Sequence, residues 1–147
     1  MNAASYGLAV MIGVLLPLQV LLNASLGKQT SGPLFASMCS FFVGSAVLTV
    51  FWAFTRPTFD VATLVRVPWW AWTGGMIGAL YVAAATLLIP RTGAAALMCL
   101  VVLGQLVGSL VVDHYGVLSA RQPIDALRLV GVVMVAGGAL LVVKPWQ

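Results

Sequence analysis

The sequence contains no glutamate, and charged residues of every kind are scarce. Only 7% of its 147 residues are charged, three acidic and seven basic, whereas 62% are hydrophobic. A soluble domain carries roughly 25% charged residues, and a chain with far fewer cannot cover a surface that faces water. The composition therefore excludes an ordinary soluble domain and predicts that most of the surface contacts lipid.

Several functional residue patterns are absent from the sequence, and their absence excludes several classes of protein. The three aspartates, Asp60, Asp113 and Asp125, lie in loops or at the ends of apolar stretches, so no carboxylate is placed to exchange a proton for a cation at mid-membrane. Cys39 and Cys99 lack a metal-binding spacing, and we interpret them as small packing residues. No nucleophile–base pair, metal cluster, phosphate loop or dinucleotide-binding pattern occurs. We expect no enzyme, metal or cofactor.

The basic residues are scattered along the chain, with one or two in each loop. They form no stripe that could follow the phosphates of a nucleic acid, despite an isoelectric point near 9.6. We interpret them as topology signals and lipid-headgroup contacts, and we expect the bilayer to be the main partner.

Uncharged stretches divide the chain into five potential membrane spans. A bilayer core of about 30 Å needs about 20 helical residues for each crossing. Alternating polarity, typical of membrane barrels, is absent. We therefore predict an all-α, polytopic bundle that forms one transmembrane domain over residues 1–147. Its helices are expected at about 4–26, 34–55, 69–89, 92–113 and 124–143.

Proline and glycine mark the expected helix ends. Pro17 is expected to kink helix 1. Gly27, Gly32 and Pro33 are expected to end helix 1 and begin helix 2, and Pro90 is expected to end helix 3.

Asp60 and the tryptophans indicate where the chain meets the membrane surface. Asp60 can cap a short interfacial helix that contains Val61, Leu64 and Val65. All five tryptophans lie near predicted helix ends, as an aromatic belt requires: Trp52, Trp69, Trp70, Trp72 and Trp146.

Lys and Arg give almost no preference for one orientation. With five spans, one side would hold three basic residues and the other four, whereas the positive-inside rule needs a clear excess. Either the N-terminus is weakly cytoplasmic, or copies insert both ways and pair antiparallel; we favour the second. The two groups are Lys28, Arg91 and Lys144, and Arg56, Arg66, Arg121 and Arg128.

Amides and hydroxyls inside the spans are costly in lipid, so they mark a possible binding site. Gln19 and Asn23 are four residues apart and share one face of helix 1, and Gln105 and Ser109 are spaced alike in helix 4. Tyr81 is the best central aromatic for stacking on a ligand. We expect these five residues to bind substrate; the alternative is that they form interhelical hydrogen bonds that only stabilise packing.

Asp113 and His114 form a titratable pair at the end of helix 4. A carboxylate there opposes the helix dipole, so helix stability does not explain it. Asp113 could relay protons or pair with Arg121 in a gate, and a histidine can change charge near neutral pH. The alternative is that both residues simply contact water and headgroups.

Glycines form faces on which helix backbones could approach closely. In lipid such small-residue faces favour helix association. We expect packing from these positions, with a dimer contact on helix 5. The residues are Gly74, Gly75, Gly78, Gly104, Gly108, Gly131, Gly137 and Gly138.

Three segments follow one another in a familiar order: Gln19-xxx-Asn23-xxx-Gly27, Gly74-Gly75-xx-Gly78-xx-Tyr81, and Gly104-Gln105 followed by Asp113-His114. Together they resemble the YdcZ family of small bacterial inner-membrane proteins, within the drug/metabolite transporter superfamily. The resemblance covers nearly the whole chain and implies half of a ten-helix transporter fold. It places these residues among the family's motif positions: Gln19, Asn23, Gly75, Tyr81, Gln105 and Asp113.

The resemblance also implies a function. The family is regarded as exporters, and its members occur as single chains, pairs and fused duplicates, which implies an antiparallel dimer. Small multidrug resistance proteins are similar in size, but this chain lacks their first-helix glutamate. That difference argues against proton-coupled export of cations.

We therefore predict an exporter of small molecules in the bacterial inner membrane, working by alternating access as an antiparallel homodimer. Two alternatives stay open. A channel would need a continuous polar path, for which the spans offer hydroxyls but no ring of charge. A non-transporting subunit would bind a larger partner and have no closed cavity. The hydroxyls are those of Ser37, Ser40, Thr49 and Ser109.

Overall fold

The computed structural model describes residues 3–55, 60–117 and 120–143. Within these ranges the chain is helical and contains no strand. The basic residues Arg56 and Lys144 and the belt residue Trp146, which the sequence analysis used, lie outside the described residues.

Five helical segments are long and apolar enough to cross a membrane, which confirms the prediction of an all-helical chain with five candidate spans. The helices are α1 (Ala3–Gln29), α2 (Pro33–Thr55), the short α3 (Val61–Leu64), α4 (Thr73–Thr92), α5 (Ala94–Tyr115) and α6 (Ala126–Val143). A 3-10 turn at Trp69–Trp72 leads directly into α4 and completes the third span.

The chain divides into two compact units, residues 1–90 and 91–147. In the first unit α1 packs against α2, and in the second α5 packs against α6. Each pair is joined by a short connection, so each forms a helical hairpin. Few residues of the spans are buried. The buried share of an 18-residue apolar stretch is highest in Trp69–Thr92, at 22%, and is 6% in α5 and in α6. Apolar side chains on the remaining faces are suited to lipid, not to water.

The turn between α1 and α2 differs from the expectation. Gly27 does not end α1, which continues to Gln29, while Pro33 is the first residue of α2. Side chains satisfy the carbonyls of the last turn and so extend the helix: Thr30 Oγ1 donates to Leu26 O at 2.7 Å.

Gly27 is instead required for a close approach of α1 to the turn. A Cβ at this position would lie 3.1 Å from the carbonyl carbon of Gly32 and 3.2 Å from Cα of Pro33. These are backbone atoms that cannot rotate away. Gly27 itself is buried, so the hairpin closes on its backbone.

The prediction that Pro90 ends the third span is also wrong, because α4 continues through Pro90 to Thr92. A proline removes one backbone donor, and here only two helical residues follow it. The helix ends at Gly93, whose φ of +77° lies in a region that favours glycine. Helix α5 begins at the next residue.

The loop before the third span is organised as predicted. Asp60 caps α3, with its Oδ1 accepting from the backbone N–H of Ala62 at 3.0 Å. Val65 lies just beyond the helix, as its C-terminal cap. The four described tryptophans lie near helix ends, as the belt prediction requires: Trp52, Trp69, Trp70 and Trp72.

Most of the glycines predicted to pack make no close backbone contact within the described chain, so their role in packing between copies stays a prediction. A Cβ built at Gly78 would meet the Phe41 ring at 3.6 Å, an ordinary contact. At the other positions a Cβ would meet no atom within 4 Å, so the described chain does not use these glycines for close backbone contact. Their spacing could not show which helix, if any, covers them. The positions are Gly74, Gly75, Gly104, Gly108, Gly131, Gly137 and Gly138.

Replacing Gly27 by alanine should lower the free energy of unfolding by about 1–3 kcal/mol, because the added methyl group overlaps rigid backbone atoms. Thermal unfolding of the purified protein, followed by tryptophan fluorescence, measures the change. Gly13→Ala is the matched control in α1, since a Cβ there meets no atom within 4 Å. Equal stability of the two variants would contradict the close approach.

Candidate functional site

Two of the predicted site residues lie on one groove between α1 and α2. Gln19 and Asn23 line it from α1, and Ser40 lines it from α2. The groove has a volume of about 460 Å³. The rest of its lining is aliphatic: Ile12, Leu15, Leu16, Leu18 and Leu22. The spacing of four residues therefore predicted the shared face correctly, and the structure adds Ser40.

The amide of Gln19 retains most of its hydrogen-bonding capacity. Its Nε2 lies 3.5 Å from Ser40 Oγ, beyond the usual range of 2.7–3.2 Å for an N–H···O hydrogen bond. Gln19 and Ser40 also line a smaller groove of about 180 Å³. The pair therefore borders two grooves of the α1–α2 hairpin and is free to contact a molecule in either.

Asn23 is the most unusual of these groups. The residue is only 6% exposed, and its Nδ2 has no hydrogen-bond partner among the residues that the structure describes. Leaving a buried donor unpaired costs about 1–3 kcal/mol. Such a group in a native structure calls for a specific explanation, and a ligand with an acceptor is one.

A larger groove of about 540 Å³ lies between α2 and α4. Its lining is mainly apolar and aromatic, and the hydroxyl of Ser37 is already bonded to the Pro33 carbonyl at 2.8 Å. Tyr81, the predicted stacking residue on α4, lines neither this groove nor the α1–α2 groove. Its side chain is half-buried, and its hydroxyl is buried without a partner in the described part of the chain.

Thr86 is a polar residue that the sequence analysis missed. It is fully buried in α4, and its Oγ1 has no partner within the described ranges. A helical threonine commonly donates to a carbonyl three or four residues earlier, so this hydroxyl is exceptional. Its position after Ala83, Ala84 and Ala85, as a lone hydroxyl among small residues, was the available signal.

Gln105 and Ser109 belong to the second unit. The Ser109 hydroxyl donates to the carbonyls of Gln105 and Leu106 at 2.8 and 3.1 Å, so its proton is used within α5. Gln105 is exposed. The groove of about 390 Å³ between α5 and α6 has an entirely apolar lining that includes neither residue. The assignment of Gln105 and Ser109 to a substrate site stays a prediction.

A polar cluster joins the end of α5 to the start of α6. The nearest oxygen of Asp113 lies 3.8 Å from the Arg128 guanidinium, and both side chains are about one-third exposed. Arg128 also approaches Asp125 at 3.9 Å and donates to Gln122 Oε1. Asp125 in turn accepts from the backbone N–H of Arg128 at 2.8 Å and so caps α6.

The suggested pair between Asp113 and Arg121 is therefore wrong. Arg121 Nε donates instead to the backbone carbonyl of His114 at 3.0 Å. The loop folds back on Gly116, which caps α5 and lies directly against the Arg121 backbone. This contact places Arg121 over the last turn of α5, and Asp113 forms its ion pair with Arg128 instead.

His114 is also held by the loop. Its Nδ1 accepts from the backbone N–H of Ile124 at 3.3 Å, and its ring meets that of Tyr115 edge to face at 5.2 Å. A ring nitrogen that accepts a hydrogen bond carries no proton. A proton relay through Nδ1 would therefore have to break the contact with Ile124.

Comparisons with known proteins identify the family. Residues 5–141 match the family model described as "Putative inner membrane exporter, YdcZ", whereas searches of curated proteins and of solved structures gave no match. The matched region begins in α1 and ends in α6, and the description is of a transporter, not an enzyme. It agrees with the resemblance found in the sequence and with five candidate spans. The chain therefore belongs to the YdcZ family of inner membrane exporters.

Proposed function

We propose that the chain is one half of an exporter that carries a small molecule across the inner membrane by alternating access. Two copies in opposite orientations would supply the ten helices of a complete transporter, with both compact units of each copy in one transmembrane domain. The family supplies the class of function. The observation that supports a binding site is the buried Nδ2 of Asn23, which has no partner among the described residues and lies beside Gln19 and Ser40.

The argument for binding at this groove is energetic. Inside a bilayer no water is available to satisfy a polar group, and each unpaired group costs several kcal/mol. Asn23 and Gln19 together offer amide groups that no other described side chain pairs closely. A substrate that bonds to them removes this cost. We also propose that Tyr81, Gln105 and Ser109 contact substrate in the assembled dimer.

The orientation argument rests on charge. Because the basic residues divide three against four between the two sides, the chain has little bias toward one orientation. Inverted repeats around a site near the midplane are the architecture on which alternating access commonly depends. Opposed insertion of two identical chains would generate that symmetry. Glycines with open space beside them, such as Gly131 and Gly138 on α6, would then contact the second copy.

We assign the cluster around Asp113 to a gate. Its ion pair with Arg128 links the last turn of α5 to the first turn of α6. Both side chains are partly exposed, so the pair adds little stability and can open at small cost. A change in the angle between the two helices would break it.

The channel alternative receives less support. Three of the four hydroxyls that could line a polar path donate to carbonyls of their own helices, and the fourth, that of Ser40, lies 3.5 Å from Gln19 Nε2. The bonded hydroxyls, which therefore face backbone, are those of Ser37, Thr49 and Ser109.

Gln19→Leu should lower transport at least tenfold while leaving the protein folded, because leucine keeps the volume and removes the amide. The measurement is flux into proteoliposomes of the substrate that a metabolite panel identifies for the unaltered protein. Gln29→Leu is the matched control: this glutamine bonds only within α1, to Ser25. Equal flux through both variants would remove Gln19 from the site.

Reporters fused to the N-terminus should give signals from both sides of the membrane, with comparable intensities. Lys28→Ala should shift the distribution toward a cytoplasmic N-terminus, since the basic residues would then divide four against two. Arg66→Ala should shift it the other way. A signal from one side only, unchanged by either substitution, would contradict insertion in both orientations.

Asp113→Asn should change the transport rate severalfold but lower the free energy of unfolding by less than about 1 kcal/mol, the usual limit for an exposed ion pair. Flux and thermal unfolding on the same preparation separate the two effects. Asp60→Asn is the control, because asparagine caps a helix as well as aspartate. A loss of stability without a change in rate would make the pair structural.

A further inference from the structure

The α1–α2 groove combines hydrogen-bonding groups with a complete lack of charge. From this we infer that the transported molecule is uncharged and amphipathic, with a hydrogen-bond acceptor and donor at one end of an apolar body. The inference rests on the proposed function, because it takes this groove as the transport site.

The polar end of the molecule is specified by Asn23, Gln19 and Ser40. The Nδ2 group of Asn23 is a donor without a partner among the described residues, so it needs an acceptor. Gln19 offers a carbonyl oxygen, and among the described residues the amide bonds only through its Nε2, at a long distance, to Ser40. A side-chain carbonyl can accept two hydrogen bonds, so it suits a donor on the ligand. Both kinds of group are therefore required at this end.

The apolar body follows from the rest of the groove. Its wall on α1 begins at Ile12 and ends at Asn23. Gln19 lies seven positions after Ile12, which corresponds to about 10 Å at about 1.5 Å per residue. That stretch of the lining is aliphatic. A heavily hydroxylated molecule would lose its hydrogen bonds there without replacement. The groove therefore fits a short hydrocarbon portion beyond the polar end.

The groove is unsuited to a charged ligand, because no charged side chain lines it. None of the residues that line it, or that line two further grooves of the first unit, is acidic or basic. An ion moved into such surroundings would lose hydration and gain no counter-charge. Lys28 lies five residues beyond Asn23 in α1 and is exposed in its last turn. The lining therefore offers no partner to a carboxylate or an ammonium group.

Four probes that contain an unbranched six-carbon chain test this inference: hexanamide, methyl hexanoate, hexanoate and hexylammonium. They share an alkyl chain and differ in charge and in donor capacity. Labelled probes are equilibrated at pH 7 with the full-length protein in nanodiscs, and binding to empty nanodiscs is subtracted. Hexanamide should bind saturably and at least tenfold more tightly than either ion, with methyl hexanoate between them. Absence of saturable hexanamide binding, or equal binding of an ion, would overturn the inference.

Variants of Asn23 connect the selectivity to the groove. Asn23→Leu should weaken hexanamide binding at least tenfold, and Asn23→Asp should favour hexylammonium, because it introduces the missing negative charge. Gln29→Leu should change neither. If the Asn23 variants fail to fold, Ser40→Ala gives the same test in a milder form. Unchanged binding in a folded Asn23 or Ser40 variant would overturn the assignment to this groove.

Flux separates this inference from the proposed function. Selective hexanamide binding without any flux in proteoliposomes would support the inference and contradict transport. Flux of hexanoate or hexylammonium in preference to hexanamide would support transport and contradict the inference. Flux of hexanamide, reduced by Asn23→Leu, is the result that both proposals require.

Discussion

Every polar group inside the membrane needs a hydrogen-bond partner that is not water, and the rest of the structure depends on this constraint. Backbone groups meet it by forming helices, and several side-chain hydroxyls meet it by bonding to carbonyls of their own helix, as Ser37, Thr49 and Ser109 do. Few buried side-chain atoms of the described residues lack a hydrogen-bond partner. Asn23, Tyr81 and Thr86 each keep a buried polar atom without a partner among the described residues. In a chain so poor in charge, these atoms are where selectivity can arise.

Much of the fold could be predicted from the sequence, because lipid leaves little choice of secondary structure. The uncharged stretches predicted spans whose ends differ from those in the structure by three residues at most, and Asp60 caps α3 as expected. The errors at Gly27 and Pro90 have a common cause. Both residues were expected to end a helix, but a helix tolerates a glycine or a proline near its end. At Gly27 the close contact with the turn explains the glycine, and beyond Pro90 the helix ends before Gly93.

The candidate site was only partly predictable. Gln19 and Asn23 share a face because of helical periodicity, which the sequence displays directly. Ser40 joins them, and Arg128 reaches Asp113, only because helices pack and a loop folds back, and neither contact leaves a periodic signal. The glycine faces illustrate the same limit. Their spacing indicates a surface suitable for another helix but carries no information on whether that helix belongs to the same chain.

The close approach of Gly27 to the turn between α1 and α2 affects how the protein could move. Because the backbone of Gly27 lies close to that of Gly32 and Pro33, we expect the two arms of the first hairpin to resist pivoting about their connection. Asn23 lies one turn earlier in α1, so it would travel with the hairpin as a rigid piece. In an alternating-access cycle the bending would then have to occur elsewhere, and the bound molecule would keep the same contacts to α1 while its surroundings changed.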